Sequence, residues 1–249
     1  MSQNNQFVFG LHAVLSLLQN QPGRVLRLCV QKERKDQKIE ALIQEAKSAG
    51  IPVEQMPRYE LDSLTNEANH QGVLVYCKKA QALSEDDLEE LLENQKQPLF
   101  ILVLDGVQDP HNLGACFRTA DAAGVHLIIA PKDKATGITP VVAKVASGAT
   151  ETVPFLQVTN LARTLAKLKE LGVWIYGAAG EATQSIYSAK MTGPIAIVMG
   201  AEGEGLRRLT RDHCDFLVKI PMAGSVSSLN VSVATGVVLF EVLRQRAKR

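Results

Sequence analysis

Three segments of this 249-residue chain place polar side chains and glycines directly after apolar runs. The first segment, 105–124, has the sequence DGVQDPHNLGACFRTADAAG and carries Asn112 and Arg118. Asn112 is a good N-cap residue, and an arginine beside a helix N-terminus can hold a phosphate. The small residues around Arg118 also leave room for a neighbouring element to approach closely. An ordinary cap with a surface arginine would give the same pattern.

The second segment, VMGAEGEGL (198–206), places three glycines between an apolar strand and a helix. Their spacing, G-x-x-G-x-G, is the reverse of the dinucleotide fingerprint. Glycines let a backbone bend tightly or lie against a flat ligand. A valine at Gly200 or Gly205 is therefore expected to block such a ligand and to leave the flanking strand and helix folded. Glu202 could bind a polar group or cap the next helix.

The third segment, KIPMAGSVSSLNVSVATG (219–236), gathers hydroxyl and amide groups before an apolar helix. One of them must cap that helix, but four exceed what capping requires. A loop that is poor in charge and rich in donors suits a neutral ring and a ribose. The four polar residues are Ser225, Ser227, Ser228 and Asn230.

Regular elements flank these loops throughout 98–249. Continuous Val/Ile/Leu runs alternate with amphipathic helices, which predicts an α/β fold with a parallel sheet covered on both faces. Ligands bind such sheets beyond the carboxyl ends of the strands, where the three segments lie. The predicted strands are 99–105, 125–130, 173–178, 195–200 and 216–220, and the predicted helices are 113–123, 160–172, 206–212 and 231–246.

Before residue 98 the pattern predicts a smaller α/β domain, 1–79, followed by an acidic linker, 80–97. The domain has helical spacing in 10–18 and 39–50, with strands at 24–31 and 70–77. The linker carries one basic and six acidic residues. Ser84 and the acids that follow it are typical of a helix start, so we expect a short linker helix.

Composition excludes several classes of protein. Hydrophobic residues make up 46% of the chain and charged residues 21%, values typical of a folded globular protein. The apolar runs are too short to span a bilayer, and no signal peptide is recognised. Four scattered cysteines suggest reduced thiols and a cytoplasmic location, and the five histidines do not cluster as metal ligands. The net charge of +1 says little about partners, but the mildly basic blocks on either side of the acidic linker permit RNA binding without demanding it.

Taken together, three motifs resemble those of the SpoU methyltransferases of the SPOUT superfamily. They are N-x-G-A-x-x-R-T-A (112–120), V-M-G-x-E-x-x-G (198–205) and I-P-M-x-G-x-x-S-S-L-N-V-S-V-A (220–234). Each motif alone is modest, but three in the family's order are highly specific. The GLHAV and HQG sequences of the N-terminal part resemble the SpoU substrate-binding domain.

The resemblance implies a trefoil-knotted C-terminal α/β domain and a homodimer. It also implies that S-adenosylmethionine is the cofactor and that the enzyme methylates the 2′-oxygen of a guanosine ribose in 23S ribosomal RNA. The implied cofactor residues are Gly200, Gly205, Ile220, Met222 and Leu229. The implied catalytic residues are Asn112, Arg118, Glu202, Ser228 and Asn230.

Some alternatives stay open. The resemblance assigns Arg118 as the general base, but a guanidinium holds its proton, so we expect Arg118 to orient the substrate instead. The identity of the base is left open. Other possible functions are tRNA guanosine methylation by the same fold and non-catalytic RNA binding. A nucleotide-dependent oxidoreductase is disfavoured by the glycine spacing.

Overall fold

The computed structural model describes residues 5–32, 34, 36–65, 67, 69–78, 83–93 and 97–247. Its contacts divide the chain into two compact units. The N-terminal unit comprises Met1–Gln81 with Ser147–Thr152, and the C-terminal unit comprises Ala82–Ala146 with Val153–Arg249. The boundary expected at residue 79 lies outside the described residues, and the exact domain limits stay a prediction.

A four-stranded sheet and three helices form most of the N-terminal unit. The sheet order is β1 (Asn5–Phe9), β4 (Val73–Lys78), β2 (Val25–Gln31) and β3 (Val53–Met56). Strand β4 runs antiparallel to both of its neighbours, and β3 runs parallel to β2. The helices are α1 (Leu11–Asn20), α2 (Gln37–Ser48) and α3 (Arg58–Leu64). Sequence patterns missed β1, β3 and α3, because each is too short for a clear period.

Helix α2 shows how local sequence sets an element. The Asp36 carboxylate accepts hydrogen bonds from the N–H groups of Lys38 and Ile39, so it is the N-cap. Ile39, Leu42 and Ala46 recur at helical spacing and are buried in the core of the unit. The helix therefore starts two residues earlier than the apolar pattern alone predicts.

The acidic segment begins with a short 3₁₀ turn, Glu85–Asp87, and continues as α4 (Leu88–Glu93). The Asp87 carboxylate accepts hydrogen bonds from both the backbone N–H and the hydroxyl of Ser84. Leu88 is buried within the core of the C-terminal unit, where Leu83 also packs. The helix predicted near Ser84 is therefore present, and it packs against the C-terminal core.

Seven parallel strands form the sheet of the C-terminal unit, so the α/β fold class is confirmed. Their order is β7 (Phe155–Val158), β6 (Leu127–Pro131), β5 (Phe100–Asp105), β10 (Ile195–Gly200), β8 (Trp174–Ala178), β11 (Phe216–Lys219) and β9 (Gln184–Ser185). All the described pairings within it are parallel. The trefoil knot stays a prediction of the resemblance, because strand order alone does not show whether the chain passes through a loop of its own backbone.

Helices cover this sheet: α5 (Pro110–Ala122), α6 (Pro140–Ala146), α8 (Leu161–Glu170), α9 (Arg208–Asp212) and α10 (Val231–Ala247). The short helix α7 (Ala149–Thr152) belongs to the N-terminal unit. A Cβ atom on Gly114 of α5 would lie 2.7 Å from Val145 Cβ and 2.9 Å from the Val142 carbonyl oxygen. Gly114 thus lets α6 approach, which confirms the predicted close approach to α5. No helix among the described residues is long and apolar enough to cross a membrane.

Candidate active site

The N-cap of α10 fixes the orientation of one amide at the carboxyl edge of the sheet. The Asn230 side-chain oxygen accepts hydrogen bonds from the Ser232 backbone N–H at 2.9 Å and from the Ser232 hydroxyl at 2.6 Å. Asn230 is therefore the capping residue that the third segment had to contain. Because its oxygen is committed to the cap, its amide nitrogen must point the other way.

That nitrogen donates to the side-chain oxygen of Asn112, 3.0 Å away and 118 residues distant in the chain. The Asn112 nitrogen then faces the Glu202 carboxylate at 3.5 Å. The direction of both hydrogen bonds is fixed, because the oxygen of each side-chain amide accepts and its nitrogen donates. It joins the three segments that the sequence singled out. We call Asn230, Asn112 and Glu202 the asparagine relay.

Asn112 is not the N-cap of α5, as the sequence suggested. The helix begins at Pro110, and the Asp109 carboxylate accepts the N–H of His111. Proline suits the first helical position, where its missing N–H costs nothing, so the helix starts three residues earlier than predicted. This frees the Asn112 side chain for the asparagine relay. Glu202 does not cap a helix either, because α9 begins only at Arg208.

Arg118 lies on α5, two turns beyond Asn112, and its side chain is exposed. Within the described part of the chain, its guanidinium makes no hydrogen bond or ion pair. Ser228 is exposed in the loop before α10 and likewise makes no hydrogen bond there. Both side chains are therefore exposed, with donors that are available to a ligand.

The glycine loop after β10 is a tight hairpin in which Ala201 and Gly205 exchange two backbone hydrogen bonds of 3.0 and 3.1 Å. A Cβ atom on Gly200 would lie only 2.1 Å from the carbonyl carbon of Gly205. Gly203 and Gly205 have φ values of +82° and +70°, which side chains rarely adopt. The expectation that valine at Gly200 spares the fold is wrong, because the loop backbone itself occupies that space.

Sequence reasoning missed an ion pair at the end of this hairpin, between a buried carboxylate and a partly exposed arginine. The Asp105 carboxylate, fully buried at the end of β5, accepts the Arg207 backbone N–H at 2.9 Å. The Arg207 Nε lies 3.6 Å from the second carboxylate oxygen. The pair ties the end of the hairpin to the adjacent strand. An acidic residue that ends an otherwise apolar strand was the available signal.

The loop from Pro221 to Leu229 offers unused backbone groups. Within the described residues, its N–H and carbonyl groups make no hydrogen bond. The half-buried apolar side chains of this region are those of Met222 and Leu229 in the loop and of Ile220 just before it. A heterocycle can be bound by apolar side chains together with free main-chain donors and acceptors. The donor set of this loop therefore fits a neutral base.

Metal ligands and reactive thiols are the other two kinds of group to consider among the described residues. These residues contain no group of three or more His, Cys, Asp or Glu side chains that could hold a metal ion. Burial raises the pKa of Cys116, which lies on α5, to about 11. Burial also raises the pKa of Cys29 and Cys77 to about 11 and that of Cys214 to about 12. At neutral pH these thiols are protonated and poor nucleophiles.

Family comparisons agree with this architecture. Residues 99–240 match the SpoU rRNA Methylase family, and residues 7–83 match the RNA 2′-O ribose methyltransferase substrate-binding family. The chain therefore belongs to the SpoU rRNA methylase family. It is an RNA methyltransferase, and its methyl donor is S-adenosylmethionine.

Several individual proteins are similar over nearly the whole chain. A 23S rRNA (guanosine-2′-O-)-methyltransferase, RlmB, from Pseudomonas putida is 57% identical over 239 residues, covering 96% of each chain. The protein of the same name from Vibrio vulnificus is 55% identical over 243 residues, covering 98% of each chain. A crystal structure of an RNA 2′-O ribose methyltransferase is 25% identical with a TM-score of 0.76, covering 99% of this chain and 90% of that one.

Proposed function

We propose that this protein methylates the 2′-oxygen of a guanosine ribose in 23S ribosomal RNA. The observation that carries this proposal is a sequence identity of 55–57% to two 23S rRNA guanosine methyltransferases over nearly their whole length. Residues 7–83 match the substrate-binding family, and this match favours ribosomal RNA over tRNA as the substrate. The tRNA guanosine methyltransferases of the same fold usually lack such a domain. An enzyme that modifies ribosomal RNA would work in the cytoplasm.

S-adenosylmethionine would supply an electrophilic methyl group to the ribose 2′-oxygen, with a carbon–oxygen bond formed, a carbon–sulfur bond broken and S-adenosylhomocysteine as the leaving group. A hydroxyl is a weak nucleophile, so it must be held in line and lose its proton during attack. We assign the holding to the asparagine relay and to the free donors of Arg118 and Ser228. The relay joins the first turn of α5, the glycine hairpin and the start of α10 by hydrogen bonds, so the groups around the hydroxyl would be preorganised.

Arg118 would orient the substrate and not accept its proton. A guanidinium remains protonated at neutral pH and offers a planar fork of donors that matches phosphate oxygens. Its exposure and its lack of a partner in the described chain leave that fork available. In this role Arg118 would bind a phosphate next to the target ribose and place the 2′-oxygen.

The cofactor would be held chiefly by backbone groups. The free N–H and carbonyl groups of 221–229 suit the adenine edge, and the half-buried Ile220, Met222 and Leu229 suit its faces. Gly200 and Gly205 would contribute by keeping the hairpin tight. A side chain at Gly200 would displace the loop backbone, and one at Gly205 would be strained by a φ of +70°. This refines the cofactor set: two of its members shape the site and three line it.

The chain would act as a homodimer through α10. Val233, Phe240 and Leu243 lie on one face of this helix and are 53%, 48% and 37% exposed. The opposite face, with Val238, Leu239 and Val242, is buried in the core. An apolar helical stripe of this kind suits a second copy of the chain.

Mapping of the methylated nucleotide tests the proposal. The purified protein is incubated with methyl-labelled S-adenosylmethionine and, separately, with unmodified 23S rRNA and with tRNA. We expect label on the ribose of one guanosine in 23S rRNA and none on tRNA, with Arg118→Ala as the inactive control. Label on tRNA alone would establish the alternative, and label on neither RNA would reject both.

A further inference from the structure

A polar cleft of about 370 Å³ lies within the N-terminal unit. Its lining includes Gln31, Arg34, Arg58, Glu67, Asn69 and His70. None of these residues has an apolar side chain, whereas pockets for drug-like ligands are lined mostly by apolar groups. The cleft is therefore suited to a polar ligand.

A rigid turn forms one wall of the cleft. His70 is buried: its Nδ1 accepts the Gly72 N–H at 3.0 Å, and its Nε2 donates to the Asp62 carboxylate at 2.8 Å. Glu67, Gln71 and Gly72 all have positive φ values, from +53° to +75°. A turn held in this uncommon conformation by a buried imidazole is a preformed feature, since such strain persists only where the surroundings impose it.

Arg34 is fixed across this turn. Its Nε donates to Asp36 at 2.8 Å and one terminal nitrogen donates to the Gln71 carbonyl at 2.6 Å. The hydrogen bond from Arg34 lowers the pKa of Asp36, so this pair is charged at neutral pH. Glycine is favoured at position 72, because its φ of +75° would strain a residue with a side chain. The second terminal nitrogen of Arg34 has no partner in the described chain.

Arg58 faces the cleft from the first turn of α3. Its Nε lies 3.6 Å from the Asp62 carboxylate, whose other oxygen binds His70. The Arg58 side chain is 73% exposed, so its terminal nitrogens are accessible. Asp62 thus orients both a buried imidazole and an exposed guanidinium, and both of its oxygens are already occupied.

The unused groups of the cleft are of two kinds. The guanidinium donors of Arg34 and Arg58 match a phosphate. The amides of Gln31 and Asn69 can donate and accept, and the exposed Glu67 carboxylate only accepts; none of these three side chains has a hydrogen bond within the described residues. A bare anion would be repelled by Glu67, whereas a base with amino groups would donate to it.

From this combination we infer that the N-terminal cleft binds one nucleotide of the RNA substrate. The phosphate lies against Arg34 and Arg58, and the base edge is read by Gln31, Asn69 and Glu67. RNA proteins recognise unpaired nucleotides by hydrogen bonds to splayed bases of this kind. The inference rests on the proposed function for the identity of the RNA, and it adds the place and chemistry of an RNA contact within the N-terminal unit.

Two exposed positions test the cleft without disturbing its frame. In the full-length protein, the double variant Arg58→Gln with Asn69→Ala removes one phosphate donor and one base contact and leaves His70 and Arg34 in place. The matched control is Lys47→Gln, which removes a positive charge from the exposed last turn of α2 in the same unit. Melting curves on all three proteins should coincide.

We expect the double variant to raise KM for 23S rRNA about tenfold or more, with kcat and S-adenosylmethionine affinity unchanged. Its affinity for a single-stranded RNA oligonucleotide should fall similarly. The slope of log affinity against log salt should shrink by about 0.7, the value for one lost phosphate contact. The Lys47→Gln control should match the wild type in every measurement.

Equal RNA affinity in the double variant and the control would overturn the cleft assignment while leaving methylation of 23S rRNA intact. Equal competition by a polyglutamate peptide would overturn it in favour of an acidic protein partner. Failure of the wild type to methylate 23S rRNA would reject the proposed function alone, because the oligonucleotide measurement does not depend on catalysis.

Discussion

The N-terminal cleft and the candidate active site use polar groups in opposite ways. In the cleft, each group that orients a donor is itself held: His70 and Arg34 both have fixed hydrogen-bond partners. In the active site only the asparagine relay is held, while Arg118 has no partner in the described residues. The difference indicates that the cleft is preformed for RNA recognition. In the candidate active site the asparagine relay is fixed, whereas Arg118 gains its partners only when a ligand binds.

The largest expected effect is the loss of methyl transfer when Arg118 is replaced. Arg118→Ala should abolish methyl transfer and leave S-adenosylmethionine affinity within a few-fold, because Arg118 is assigned to the RNA side. Arg118→Lys should also fail, since an ammonium lacks the planar fork. Single-turnover methylation and calorimetry measure the two quantities. Full activity of the lysine variant would show that a positive charge alone is sufficient, which would remove the proposed orienting role.

The glycine hairpin tests how rigid the frame of the catalytic edge must be. Gly200→Val should unfold the loop and lower the melting temperature, because even a Cβ atom would meet the Gly205 backbone at 2.1 Å. Gly205→Val meets no neighbouring atom but must adopt a φ of +70°, which costs roughly 1–2 kcal/mol. We expect cofactor affinity to fall in both variants. A Gly200→Val protein with wild-type melting and binding would contradict the hairpin geometry.

Truncation separates the two regions. A fragment of residues 83–249 keeps the whole C-terminal core and should still bind S-adenosylmethionine, but without the cleft its KM for RNA should rise. A fragment of residues 98–249 additionally loses buried Leu88 and should be less stable by roughly 2–3 kcal/mol. Calorimetry and denaturant titration measure these effects. A folded 83–249 fragment that cannot bind the cofactor would show that cofactor binding requires the N-terminal unit.

The smallest expected effect concerns a single amide of the asparagine relay. Asn230→Asp keeps an oxygen for the α10 cap but cannot donate to Asn112, so kcat should fall roughly tenfold with stability nearly unchanged. Asn230→Ala loses the cap as well and should cost about 1 kcal/mol of stability. The pair of variants therefore separates capping from catalysis. Equal kcat in Asn230→Asp and wild type would reduce Asn230 to a cap.

Local sequence was sufficient to predict much of this protein. The apolar strands β5, β6, β8, β10 and β11, the helices α5, α8, α9 and α10 and the three polar loops were predicted, because hydrophobic period and capping act within a few residues. The shorter elements β7, β9, α6 and α7 were missed. Motif order was enough to place Asn112, Glu202 and Asn230 in one family site. The site roles of these residues remain predictions until the variants are measured.

Only the tertiary structure decided how these parts meet. The hydrogen bond between Asn112 and Asn230 spans 118 residues, and the ion pair between Asp105 and Arg207 depends on β5 pairing with β10. The cleft draws its donors from β2, α3 and a left-handed turn whose separate sequences show no shared pattern. Local sequence patterns report interactions between neighbouring residues, whereas these contacts exist only once the sheets bring distant segments to the same edge.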